Sequence, residues 1–477
     1  MNEDYNEEEY MAAFEENAGV FSEALPAIVR EFQASAVEVS HYNDIPAGIS
    51  FFTILGQICK DFIIIPNGRN HEDTRVHFCW VQTSGTGKST LYNFVGPVAN
   101  GVFKMINEYN RHPPFVKENI PMNRVFDTFG VTDYTDSVLI GGYDKEVDDE
   151  GEIIYNRRPG VLEGNGLIFK QSQHKENSIV YLNTLMNSLA GESWIISKAL
   201  TSFGGMIMEC FCERSVLAMT YPPNNLNDVM AEKGVLQRML LYVWEVPEFI
   251  QHKMRLEQIE KAGTVEEVNQ PITKYSKGLF NIYKLTQERF NEVGGDPLKT
   301  MRYTEDFNQV LRLEYESMRM YLQNTRTDVA KIAGNFTTRL MKILYKMSVL
   351  CSVASAPSIK EKDKQFVVTG HNVRQAATIV RQCYMTLVDW LERSLRVKRQ
   401  SIAENSLESV FIEVFNKIKK DEQGFVNKTT LLTEVRNKAK KSRAQVYRHY
   451  EVVRHKFEEE KGSGNRTYVR LIKGDEE

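Results

Sequence analysis

The chain has 477 residues, of which 42% are hydrophobic and 26% charged, and a formal net charge of −4. These values describe a globular protein with a sizeable core and roughly two to four domains, and no apolar run approaches a membrane span. Six scattered cysteines exclude a disulfide framework and point to a reducing, intracellular setting.

Residues 1–20 read as an acidic head, expected to be disordered. The first 17 residues hold seven acidic and no basic side chains, and no basic segment leads into an apolar run, so a secretory signal is not expected. A helical N-terminal region follows over 21–74, with helices at 22–34 and 46–61. Asp44 serves as a cap, and Pro46 sits where its missing N–H does no harm. Residues 75–81, RVHFCWV, alternate like a strand. Helical spacing resumes at 89–107, with Leu91, Phe94, Val95, Val98 and Val102 on one face.

Between strand and helix lies VQTSGTGKST, Val81 to Thr90. Such a loop must turn backbone N–H groups toward phosphate oxygens, and Gly85 and Gly87 permit the conformations this needs. Ser84, Gly85, Thr86, Gly87 and Thr90 form the cradle. Lys88 reaches the β- and γ-phosphates, and the Ser89 hydroxyl reaches Mg²⁺. The N-terminus of the helix adds its positive dipole end. The ligand read from this pattern is ATP with Mg²⁺, although Gln82 stands where the phosphate-loop motif has its first glycine.

Hydrolysis would need a carboxylate at a strand end. The natural place is the end of the apolar segment at 166–169, but Lys170 and Gln171 follow it, leaving Glu163, Asp133 or Asp136. A helix is expected at 177–189. The lone C-x-C of Cys210 and Cys212 reads as a strand with alternate small residues buried, not as a metal site. The strand RSVLAMT, 214–220, ends in Thr220, either a γ-phosphate sensor or a plain strand end. Residues 234–246 read as a short helix turning into a strand. Within them Arg238 either reaches a neighbouring subunit's nucleotide or forms a local salt bridge, because an unpaired buried charge is costly. Residues 251–400 are helical. Arg339, in NFTTRLMKILYKM, is a second phosphate sensor or an ordinary helix residue. Val373, Ala377, Val380, Tyr384, Leu387 and Leu391 mark one face of the last long helix.

Residues 405–473 read as a separate basic domain, with 16 Lys and Arg against nine Asp and Glu from Ser406 to Lys473. Helices at 406–419 and 429–440 precede a third, capped by Ser442, with Val446, Tyr450, Val453 and Phe457 inward. Two strands then flank the turn at 462–465. Three helices and a hairpin form the pattern of a winged helix, whose third helix can enter a DNA groove. Lys441, Arg443, Gln445, Arg448, Lys461 and Arg466 are the expected nucleic-acid contacts, mostly to phosphate.

The order of a helical head, SGTGKST, FGVTDYTDSVL, RSVLAMTYPP, GVLQRMLLYV, TTRLMKIL and a long last helix resembles the P-loop ATPases of phage and mobile-element replication proteins. These form the helicase part of primase-helicase systems and are related in plan to ring-forming AAA+ and RecA-like helicases. The likeness covers roughly residues 25–391. It implies an α/β P-loop NTPase core at 75–250, a helical lid at 251–400 and a hexameric, ATP-driven helicase. That helicase would act on single-stranded and forked DNA in the host cytoplasm, beside a primase or other replisome partner and without a membrane. It further implies Lys88 and Ser89 at the phosphates, Thr220 as sensor and Arg238 as finger. Where the family has an acidic pair, this chain has Lys170-Gln171. An ATP-gated DNA-binding or loading factor with little hydrolysis, and a packaging or transposition motor, stay open.

Overall fold

The computed structural model describes residues 24–40, 42–111, 126–130, 145–147, 153–155, 160–164, 168, 178–187, 189, 193–197, 207–211, 213–222, 234–260, 269–358, 363–404, 407–439, 442–462 and 466–472. The acidic head, Asp133, Asp136, Lys170, Gln171, Cys212 and Lys441 lie outside the described residues. The chain divides into two compact units, Met1–Trp390 and Leu391–Glu477.

The first unit opens with α1 (Ala27–Ser40) and α2 (Asp44–Cys59). Every residue of α2 from Ile45 onward is buried, so it is a core helix rather than an amphipathic surface one. Asp44, expected as its cap, is its first residue instead, and Asn43 precedes it without capping it through its side chain. A hairpin that the periodicity does not reveal follows, β1 (Ile64–Asn67) and β2 (Asn70–Asp73). The chain then enters β3 (Phe78–Gln82) and, after the glycine-containing loop, α3 (Lys88–Arg111). The expected face of α3, from Leu91 to Val102, is buried.

Two short antiparallel pairs come next, β4 (Lys145–Val147) with β5 (Ile153–Tyr155) and, further on, β7 (Ser193–Ser197) with β8 (Ile207–Phe211). Between them lie β6 (Gly160–Glu163) and α4 (Ser178–Asn187). Strand β9 (Arg214–Thr220) follows, then a 3₁₀ turn at Leu236–Arg238 and β10 (Leu240–Trp244), the short helix and strand that the sequence predicts.

Strands β10, β3, β9 and β6, in that order, form one parallel sheet. Parallel sheets are covered on both faces, and FCWVQ and LLYVW are accordingly buried at every position. The register sets Val81 beside Thr220, Gln82 beside Trp244 and Glu163 beside Leu217. Gln57 of the core helix joins the sheet through polar contacts. It donates to the Glu213 carbonyl and accepts from the Ser215 N–H, so its buried amide is satisfied.

The rest of the unit is mostly helical: α5 (Glu248–Glu260), α6 (Asn269–Glu292), α7 (Glu305–Gln323), α8 (Thr327–Ser355) and the part of α9 (Gly370–Glu404) up to Trp390. Strands β11 (Met301–Tyr303) and β12 (Phe366–Val368) pair in parallel among them. Helix α6 packs along α3, and helices α5 to α8 share a compact unit with the sheet. The face of α9 from Val373 to Leu391 is buried as its spacing predicts.

The second unit contains α10 (Leu407–Lys417), α11 (Lys428–Ala439) and α12 (Arg443–Val453). Strands β13 (Val426–Asn427), β14 (Phe457–Lys461) and β15 (Thr467–Leu471) form an antiparallel sheet in the order β13-β15-β14. Its core joins Phe411, Leu431, Val435, Val446, Tyr450 and Val469. The three helices and the hairpin match the sequence reading, and β13 adds a strand too short to show in a pattern. Among the described residues no helix is long and apolar enough to cross a membrane.

Candidate nucleotide site

The loop leaves β3 at the carboxyl end of the sheet. Gly85 and Gly87 adopt φ of +75° and +79°, the left-handed region that glycine enters without penalty. A Cβ on Gly87 would stand 2.8 Å from the Ser40 carbonyl oxygen and 2.9 Å from Asn43 Nδ2. A Cβ on Gly85 would meet nothing, so the tip of the loop is open. Ser84, Gly85, Ser89 and Thr90 are exposed, and Thr86 is buried. Lys88 folds back over the loop, and its ammonium donates to the carbonyls of Gln82 (2.7 Å) and Thr83 (2.6 Å). Burial pushes its pKa down to about 8.

Gln82 is the last residue of the strand and has no positive φ, so its position does not require glycine. Its buried amide braces the loop from beneath. Nε2 donates to Thr86 Oγ1 (2.9 Å), the Thr86 carbonyl (3.1 Å) and Asn43 Oδ1 (2.9 Å), while Oε1 accepts from Trp80 Nε1 (2.6 Å). Asn43 in turn donates to the carbonyls of Ser40 (2.7 Å) and Thr86 (3.0 Å). The sequence pattern missed both supports, because a motif records what touches phosphate and not what holds the loop.

Thr220 ends β9 beside Val81 and is buried, one strand over from the loop. Glu163 ends β6, two strands over, and is half-buried. Its charge helps to raise the pKa values of Cys79 and Tyr92, whose main cause is burial. Tyr92 lies one helical turn beyond Lys88, so Glu163 faces the first turns of α3. Glu163 pairs with Leu217, three ladder positions short of Thr220, and so approaches the side of α3 rather than the loop tip.

The two expected arginines lie elsewhere. Arg238 and Arg339 line one recess with Arg75 and His77, which precede β3. That is the amino end of the sheet, about 17 Å from the loop along the five residues of β3. Arg339 is therefore not a sensor at its own chain's loop: helical spacing identifies a face but not which end of the sheet it meets. Among the described residues Arg238 has no carboxylate partner. Its guanidinium donates to Asn187 Oδ1 (2.8 Å) and the Gly234 carbonyl (2.6 Å).

In the second unit Ser442 caps α12 as expected, but Gln445 closes a capping box with it, its Oε1 accepting from the Ser442 N–H at 3.1 Å. Gln445 thus has only its NH₂ left for a partner. The Arg443 guanidinium lies 5.4 Å from the centre of the Tyr447 ring, and Arg448 is exposed. Lys461 and Arg466 are exposed at the end of the β14–β15 hairpin. Strand β14 also carries acidic groups: Glu458 pairs with Arg470, and Glu459 pairs with Lys428 and Arg454.

Among the described residues no group of His, Cys, Asp and Glu could hold a metal by itself. Ser89 is exposed in the first turn of α3, and the Glu163 carboxylate lies toward Tyr92 one turn on. Comparison of the chain with protein-family models gives no match, and comparison with curated proteins gives none either.

Proposed function

We propose that the chain is an ATP-driven DNA translocase of the P-loop NTPase class, AAA+/RecA-like in plan, acting as a hexameric ring helicase in phage or mobile-element replication. The observation that carries the reading is the loop itself, which leaves a buried parallel strand, carries two left-handed glycines and opens the 24-residue helix α3 with Lys88. Open α/β sheets bind ligands beyond the carboxyl ends of their strands, where the crossovers diverge. Here β3 connects toward β6 on one side, and β9 connects to β10 on the other.

In this reading the N–H groups of Ser84 to Ser89 cradle the phosphates, Lys88 turns from its two carbonyls to them, and Thr90 flanks the entry of the helix. Mg²⁺ would supply charge neutralisation at the phosphates. Ser89 would hold it directly, and Glu163 would act from one helical turn away. Thr220 would position water or sense the terminal phosphate. The second unit would be a winged helix that meets DNA phosphates through Arg443, Arg448, Lys461 and Arg466. Cytoplasmic location and a primase or replisome partner belong to the same proposal.

The test is ATP turnover with and without single-stranded DNA. The expected result is turnover that rises with DNA and vanishes in Lys88→Ala. Flat turnover in a folded protein that still binds ATP would favour the second reading, an ATP-gated DNA-binding or loading factor. The retracted position of Glu163 is the observation on its side.

A further inference from the structure

A two-stranded ribbon is marginal by itself, and the β1–β2 hairpin has little apolar surface to hold it, since its second strand reads NHED. Its base is nevertheless fixed. The Ile64 N–H donates to the Pro297 carbonyl (3.0 Å), Thr74 Oγ1 donates to the Gly56 carbonyl (2.7 Å), and the Asp73 carboxylate holds Arg75 at 2.7 Å. Helix α8 braces the hairpin nearer its tip. Glu72 pairs with Lys342, and Tyr345 Oη donates to the Pro66 carbonyl at 2.9 Å. What this scaffold holds out is the two-residue turn Gly68-Arg69. Gly68 takes φ of +64° at the first central position of the turn, with open space beside it, and Arg69, Asn70 and His71 are exposed.

The outer face of α8 extends this surface. Lys331, Asn335, Thr338 and Lys342 recur at spacings of four, three and four, so they share one side of the helix, and the first three are exposed. Over its 29 residues α8 carries four cations, Lys331, Arg339, Lys342 and Lys346, and one carboxylate, Asp328, which pairs with Arg326 at 3.0 Å. A solvated helix face ordinarily mixes both signs. This one offers cations with an amide and a hydroxyl between them. From Lys331 to Lys342 the helix rises about 16 Å, long enough to meet several phosphates in succession.

We infer that the hairpin tip and this stripe of α8 form a second nucleic-acid surface, within the first unit, that grips a phosphate backbone. Arg69 and Lys331 hold its two ends, and Asn335 and Thr338 donate between them. Such side chains meet phosphate oxygens and position a strand without reading its bases, so the grip is indifferent to sequence. An acidic peptide would dock through side-chain pockets as well as charge, whereas the exposed groups of the stripe are polar. Strand β2 leads to the amino end of β3, so this surface lies away from the glycine loop at the carboxyl end. It therefore stands without the ATPase reading.

The test measures fluorescence anisotropy of a labelled single strand and of a duplex of the same length, without nucleotide. It uses the full chain carrying Arg443→Ala, Arg448→Ala, Lys461→Ala and Arg466→Ala, which removes the contacts proposed for the second unit. Residual, salt-dependent binding is expected. Adding Arg69→Ala and Lys331→Ala should weaken it at least tenfold at low salt and lower the salt slope by about 1.4–1.8. Asn335→Asp, a negative charge placed mid-stripe, is an independent second variant and should weaken binding as well. Lys104→Ala, at an exposed lysine of α3, removes an equal charge and should change affinity less than twofold. Absence of residual binding would overturn the proposal, as would a slope unchanged by the Arg69 and Lys331 pair or an equal loss in Lys104→Ala. Polyglutamate of matched charge competing as well as DNA would overturn the assignment to nucleic acid. The ratio of the two affinities tells which form of DNA the surface takes. ATP turnover plays no part in the readout, so failure of the ATPase reading and failure of this surface are seen separately.

Discussion

Gln82 and Asn43, 39 positions apart in the chain, are joined side chain to side chain, with Gln82 Nε2 donating to Asn43 Oδ1 over 2.9 Å. The contact ties the helical N-terminal region to the underside of the loop. Gln82→Gly would restore the first glycine of the phosphate-loop motif yet leave Trp80 Nε1, Asn43 and Thr86 without their partner. The expected outcome is a loss of about 2–3 kcal/mol in urea unfolding, from stranded buried polar groups. A change below about 0.5 kcal/mol would show that the brace is dispensable.

The two loop glycines should respond differently to alanine. Both pay for a left-handed backbone, roughly 1–2 kcal/mol each. Only at Gly87 does the new methyl also collide with the Ser40 carbonyl and Asn43. Gly87→Ala should therefore weaken nucleotide binding at least tenfold more than Gly85→Ala, measured by titration calorimetry. The reverse order would mean that the tip, and not the floor, controls the cradle.

Lys88 sets a pH dependence whose sign follows from its lowered pKa of about 8. The phosphates attract the ammonium form, so affinity is level below pH 8 and falls as pH rises above it. Binding should then take up protons, visible as a buffer-dependent heat in calorimetry. Folding runs the other way. Between pH 8 and the ordinary lysine range the unfolded chain holds a proton that native Lys88 has released, so this group's contribution to stability grows with pH. Nucleotide affinity that is constant from pH 7 to 9.5 would contradict the assignment.

Glu163→Gln removes a charge and keeps the shape. If Glu163 is the acid of the site, turnover should drop about 10²–10⁴-fold, while nucleotide affinity changes by less than about threefold. Turnover at the native rate would assign the carboxylate to a segment outside the described residues.

In the second unit, Arg448→Ala should weaken binding to unrelated DNA sequences about equally and lower the salt slope by about one. Ser442→Ala should instead cost about 1 kcal/mol of stability through the cap of α12. A salt slope unchanged by Arg448→Ala would point away from a DNA surface on this face.

What was legible in the sequence is what periodicity and burial impose. The strand within RVHFCWV, which runs over Phe78–Gln82 rather than from Arg75, the α3 face from Leu91 to Val102 and the α9 face from Val373 to Leu391 follow from a core that must be apolar. The β1–β2 hairpin was not legible, because its second strand, NHED, is polar throughout and too short to alternate. It nevertheless carries Glu72 and Asp73 to the basic recess. The brace between Asn43 and Gln82 is not visible in the sequence because it depends on a tertiary meeting of two segments. Local spacing fixes the helix face that carries Arg339 without fixing the end of the sheet it meets.

The exit of β3 is held from both sides. Thr83 donates to the Trp244 carbonyl at 3.3 Å and accepts from the Val246 N–H at 3.0 Å, and Val81 pairs with Thr220. The stem of the loop cannot move without parting the sheet, whereas a side chain at Gly85 would meet only open space. Amide hydrogen exchange should therefore change abruptly within a few residues, slow through Val81 and fast at Ser84 and Gly85. Ligand capture would then confine its ordering cost to a few backbone units at the tip.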